Sequence, residues 1–246
     1  MALPKMNSPI FELTLPSTGK EVKYRPFLVK EQKLLLMALE SKEQKEMLRA
    51  IKQIINNCSI DKVNVDDLPM FDLEYFFVKL RAKSVGEIVD MRLTHPGGKN
   101  SEGADCTHVV NFKLNLMDVE VDKPEGHTNK VLLDEEKKIG VCLKYPTIAL
   151  ADKIQSAGQQ TQIETIISLV SDSIDYIYDA ENVYPSKEST KKELVEFVND
   201  LSQEQFKKLT DFFNGIPKLR HEIKWTCPEC RAQESVTLEG MANFFG

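Results

Sequence analysis

Near the end of the chain, the stretch "KWTCPECRAQ" (Lys224–Gln233) sets two cysteines two residues apart with a proline and a glutamate between them. A turn of that kind leaving a strand presents half of a tetrahedral metal site, because a structural zinc takes about four ligands. The other half must come from elsewhere. A fold that satisfies this turn has to bring two further ligands to the same point.

The second segment is legible as a weak internal repeat. "DMRLTHPGGKNSEGADCTHVVNFKLNLM" aligns with "HEIKWTCPECRAQESVTLEGM" when one long insertion is allowed in the first turn. His95 then falls on Cys227 and Cys106 on Cys230. Met91 and Leu93 fall on Ile223 and Trp225, and Phe112, Leu114 and Met117 on Val236, Leu238 and Met241. Each half reads as strand, ligand-bearing turn, strand, with the same alternating phase. The expected ligands are His95, Cys106, Cys227 and Cys230, and the expected metal is a structural zinc, since imidazole nitrogen and thiolate both suit it. His108, two residues beyond Cys106 on the same side of a strand, is the rival for the histidine position. Glycine commonly follows the second cysteine of such a knuckle; Thr107 and Arg231 stand there instead.

Five cysteines, thinly spread, argue against a disulfide framework. Cys58 and Cys142 sit among apolar residues and read as small buried hydrophobes. A redox role for the CxxC is disfavoured, because the residues after Cys230 read as strand where a thioredoxin-like motif needs a helix.

The rest of the chain reads as α+β. "FELTLPSTGKEVKYRPF" alternates about a turn and predicts a β-hairpin. Helices are expected from Val29 onward, from a capping box at Ser41–Gln44, and across "DLPMFDLEYFFVKLRAKSVG", with Pro69 near its start. This third helix is apolar over a wide arc, which means burial on two sides or a partner surface. From about Thr147 the pattern turns helical, with "TQIETIISLVSDSIDYIY" amphipathic and capping boxes at Thr190/Glu193 and Ser202/Gln205. The expected organisation is an N-terminal hairpin and helical region over residues 1–85, a first β knuckle and strands over 86–146, a helical insert over 147–219, and a second knuckle over 220–246. The architecture is thus a split zinc-ribbon-like β module with an inserted helical subdomain.

The net charge of -6 and the lack of a basic, aromatic strand face argue against nucleic acid as a partner. No apolar run approaches the ~18 residues of a membrane span, and the N-terminus lacks a signal-peptide pattern. P-loop, nucleophile-elbow, HExxH and GxGxxG patterns are absent, so a non-enzymatic role is expected. His127 falls in a polar linker and reads as solvated; His221 precedes a strand and reads as structural.

The opening "LPSTGKEVKYRPF", with the helix beginning at "VKEQ", resembles the start of phage tail-assembly chaperones. The full layout, from this opening through a mid-chain knuckle and a helical insert to a second knuckle before the terminal "FFG", is similar to the T-even-like phage baseplate hub subunit and hub assembly family. The resemblance implies a non-enzymatic protein that binds hub or tape-measure components during tail assembly in the host cytoplasm. The alternative it admits is a structural subunit of the hub in the virion.

Overall fold

The computed structural model describes residues 7–61, 63–94, 98–99, 103–147, 149–150 and 162–244. The chain forms two compact units. One comprises Met1–Val65, Phe71–Asp122 and Lys218–Gly246; the other comprises Asp66–Met70 and Lys123–Pro217.

The first unit opens with the expected hairpin, β1 (Phe11–Thr14) against β2 (Glu21–Tyr24). Gly19, at φ 69°, supplies the left-handed residue of its turn. Helix α1 (Val29–Ser41) starts at the expected residue. The expected capping box at Ser41–Gln44 does not form. Lys42 takes a left-handed conformation that ends α1, and the Ser41 hydroxyl donates to the Ala38 carbonyl at 2.8 Å, so Ser41 closes the first helix instead of opening the second. Helix α2 (Gln44–Cys58) begins after Glu43 without a side-chain cap.

Helix α3 (Met70–Val85) lies between two layers of this unit, which decides the reading of its wide apolar arc. Leu73, Phe76, Phe77 and Leu80 are fully buried. On one side Phe76 meets Tyr24 of β2 edge-on, with ring centroids 5.5 Å apart. Buried Asp72 accepts hydrogen bonds there from the backbone and hydroxyl of Ser17 in the hairpin turn. On the other side Tyr75, Val78 and Ala82 pack into a core made by the ribbon strands. Lys79, almost fully buried, donates to the carbonyl of Met117 at 2.6 Å and pairs with the exposed Glu120 carboxylate at 3.7 Å.

Those ribbon strands form two hairpins, β3 (Ile88–Leu93) with β4 (Val110–Asn115), and β10 (Lys218–Thr226) with β11 (Gln233–Glu239). A short strand, β5 (Glu120–Asp122), adds to the free side of β10. All the apolar positions aligned in sequence face one core cluster, with Leu93, Leu114, Ile223 and Leu238 buried and Met91, Phe112, Met117, Trp225, Val236 and Met241 against them. The registers also correspond. Met91 pairs with Phe112 as Ile223 pairs with Val236, and Val89 pairs with Leu114 as His221 pairs with Leu238.

The second unit is not wholly helical. A four-stranded antiparallel sheet joins β6 (Lys130–Asp134), β7 (Ile139–Leu143), β8 (Ile174–Tyr178) and β9 (Val183–Pro185) in that order. The segment expected as one helix through Tyr178 is helix only as α4 (Gln162–Ser173). It becomes strand at Ile174, where two isoleucines and two tyrosines in five residues favour the pleated surface. Helices α5 (Lys191–Asn199) and α6 (Gln203–Asn214) carry the expected capping boxes at Thr190/Glu193 and Ser202/Gln205. Val141, Leu143, Val170, Ile174, Val198, Leu209 and Phe212 form the core of this unit. His127 is not solvated as its polar flanks imply. Its ring stacks with Tyr145 and Phe212 at 5.7 and 5.2 Å, and its Nε2 is buried without a hydrogen-bond partner. Burial accordingly pushes its pKa below the usual histidine value.

Truncating α3 tests this packing. Phe76→Ala is expected to lose about 3–5 kcal/mol in urea unfolding, the range for a large buried side chain. A loss below about 1 kcal/mol would contradict burial of α3 on both sides.

Candidate metal centre

The turns of the two hairpins place three of the expected ligands together. Cys227 follows β10, Cys230 lies in the turn to β11, and Cys106 lies in the turn from β3 to β4. Their sulfurs all lie within 4.8 Å of one another. Cys106 Sγ and Cys227 Sγ are 3.9 Å apart and both buried. Two sulfurs bound to one tetrahedral zinc at ~2.3 Å sit about 3.8 Å apart, so this spacing suits a shared ion.

Local backbone bonding explains how each turn presents its thiols. In the second hairpin, the Arg231 N–H donates to the Cys227 carbonyl and the Cys227 N–H to the Ala232 carbonyl, both at 2.9 Å. The chain thereby doubles back around the sulfurs. Arg231 sits at φ 60°, the left-handed conformation that glycine ordinarily supplies at this place. In the first hairpin the long insertion is closed at its base. The Cys106 N–H donates to the Gly98 carbonyl at 2.7 Å, and Lys99 and Asp105 form an antiparallel bridge.

The electrostatics suit a cation. The backbone N–H of His108 bonds the Cys106 sulfur and favours its thiolate. Burial and the neighbouring thiols of Cys230 and Cys227 outweigh it and push the pKa up to about 11. Three thiols this close oppose one another's ionisation, whereas a bound divalent cation would favour the thiolates. The donor set thus fits a thiophilic metal.

His95 lies outside the described residues. The rival, His108, is not in the thiol group among the described residues; its Nδ1 stands 3.4 Å from Glu229 Oε2. Cys58 and Cys142 are buried away from the group. Cys58 is fully buried at the end of α2, and Cys142 accepts a hydrogen bond from Asn129 within the second unit.

Two hairpins of matching register with a shared thiol cluster, on an α+β frame, define a protein whose candidate centre ties distant chain segments together. The chain belongs to the family of T4 bacteriophage base plate proteins, whose family model matches residues 6–246. No curated protein and no solved structure matches it. Membership places its partners among the proteins of the phage tail and baseplate. Among the described residues, no helix is long and apolar enough to cross a membrane.

Arg231 offers a check on the turn geometry. Arg231→Gly removes the left-handed strain of a side-chain-bearing residue and is expected to raise stability by about 1 kcal/mol in denaturant unfolding. A destabilisation of that size would mean the residue does not hold this conformation in solution.

Proposed function

We propose that the chain is a non-enzymatic assembly protein of the phage baseplate hub, which holds hub or tape-measure components while the tail is built in the host cytoplasm. Its thiol centre holds a structural zinc through Cys106, Cys227 and Cys230, with His95 as the fourth ligand. The zinc supplies folding energy by joining the two hairpins, and no open position for substrate is needed.

Family membership across residues 6–246 carries the baseplate setting. The surface of α1 supports the binding role. This helix buries only Glu31 and Ala38, and leaves Val29 81%, Leu36 52% and Met37 58% exposed. These three share one side of the helix, spaced seven and eight residues apart. Exposed apolar clusters of this kind on soluble proteins mark sites for partners.

An assembly protein is expected to be abundant in infected-cell lysates and at most substoichiometric in purified virions by quantitative mass spectrometry. A fixed stoichiometric copy number in virions would instead make it a structural subunit of the hub. Replacing Leu36 and Met37 with Glu is expected to change stability by no more than about 0.5 kcal/mol per site. It should still abolish recovery of hub complexes from co-expressed tail proteins, and intact complexes would exclude α1 as the binding surface.

A further inference from the structure

The second unit contains a cleft of about 440 Å³, a size usual for a ligand site. Its walls include the rings of Tyr178, Tyr184 and Phe197 and the carboxylates of Asp179 and Glu193. Aromatic faces are electronegative and attract cations set over them. Neither carboxylate has a basic side chain within ion-pairing distance among the described residues.

Both carboxylates are fixed in place and held ionised. The backbone N–H groups of Glu181 and Asn182 donate to Asp179 Oδ1, each at 2.8 Å, and the Tyr184 hydroxyl donates to Oδ2 at 2.8 Å. These bonds hold the Asp179 carboxyl below the usual range. Glu193 accepts from the backbone N–H and hydroxyl of Thr190, which lowers its pKa likewise. Tyr178 is fixed by a different device. A Cβ on Gly140 would collide with the Tyr178 ring, so the ring lies directly on the backbone of β7.

The charge of the whole unit points the same way. Residues 66–70 and 123–217 hold eighteen Asp and Glu against eleven Lys and no Arg, a net charge of -7. The chain as a whole carries -6, so all of its excess acid lies in this unit. Beside the cleft, β9 is an outer strand of its sheet, with Val183 60% and Tyr184 48% exposed. Outer strands accept extended segments of other chains.

We propose that this cleft takes an arginine side chain presented by an extended segment of a partner protein. The guanidinium stacks on the tyrosine and phenylalanine faces and donates to Asp179 and Glu193, while the flanking backbone runs beside β9. A guanidinium suits this setting better than an ammonium, because it is planar, weakly hydrated and able to stack and donate at once. The inference stands on the cleft and the unit that carries it, and holds whether the protein is an assembly factor or a hub subunit.

The test is a titration of the ¹⁵N-labelled full chain with the peptide acetyl-Gly-Ser-Arg-Ser-Gly-amide, followed by NMR. Saturable shifts are expected in β8, in β9 and in the first turn of α5, with a dissociation constant on the order of 1 mM. Replacing the arginine by citrulline, its neutral isostere, should weaken binding about tenfold or more, and a lysine peptide should bind more weakly than the arginine one. Glu193→Gln, which keeps the helix cap, should weaken the arginine peptide by about tenfold. The proposal is overturned if no saturable shift appears in these segments up to roughly ten times that concentration. Equal binding of the citrulline peptide overturns it as well, and would make the cleft an uncharged groove.

Discussion

The contact between Cys106 Sγ and Cys227 Sγ, 3.9 Å across 121 residues of chain, is the constraint around which the first unit is arranged. A thiol cluster lies at the tips of two hairpins, and the core beneath them holds their bodies. Short two-stranded hairpins are marginal in water unless a third layer covers one face. Here that layer is α3, which contributes Tyr75, Val78 and Ala82 to the ribbon core and Phe76 to the N-terminal hairpin. Chain from both sides of the inserted unit therefore converges on one helix and one cluster of sulfurs.

The second unit sits in the chain between these converging segments and has its own core and its own sheet. Its acid excess separates it in chemistry as well as in packing, because the first unit is nearly neutral. Division of labour follows from that asymmetry. Exposed apolar residues of α1 belong to the unit that carries the thiol cluster, while the acidic unit presents an aromatic and anionic cleft.

Much of the ribbon was legible because a shared core imposes a shared phase. Met91, Leu93, Phe112 and Leu114 match Ile223, Trp225, Val236 and Leu238, and each aligned residue does face the common cluster. The caps at Thr190 and Ser202 were legible for a local reason, since side chain and backbone three residues apart satisfy one another. Most of what the sequence does not show is non-local. Strand β8 follows α4 without a turn signal, and its identity as strand depends on pairing with β7. The cap read at Ser41 failed because Lys42 ends α1 in a left-handed conformation that periodicity does not reveal. His127 lay in a polar stretch, yet Tyr145 and Phe212 cover it from distant positions. Of the four expected ligands, the structure brings together Cys106, Cys227 and Cys230.

Elemental analysis decides whether these thiols hold one metal ion that joins the hairpins. Protein purified without chelator is expected to carry about one zinc per chain. Cys106→Ser and Cys227→Ser should each lose that metal along with stability, while Cys142→Ser should retain it. Metal at background level in the wild-type protein, with Cys106, Cys227 and Cys230 freely reactive toward a thiol reagent, would contradict the account; so would metal that disappears with Cys142 but survives loss of Cys106.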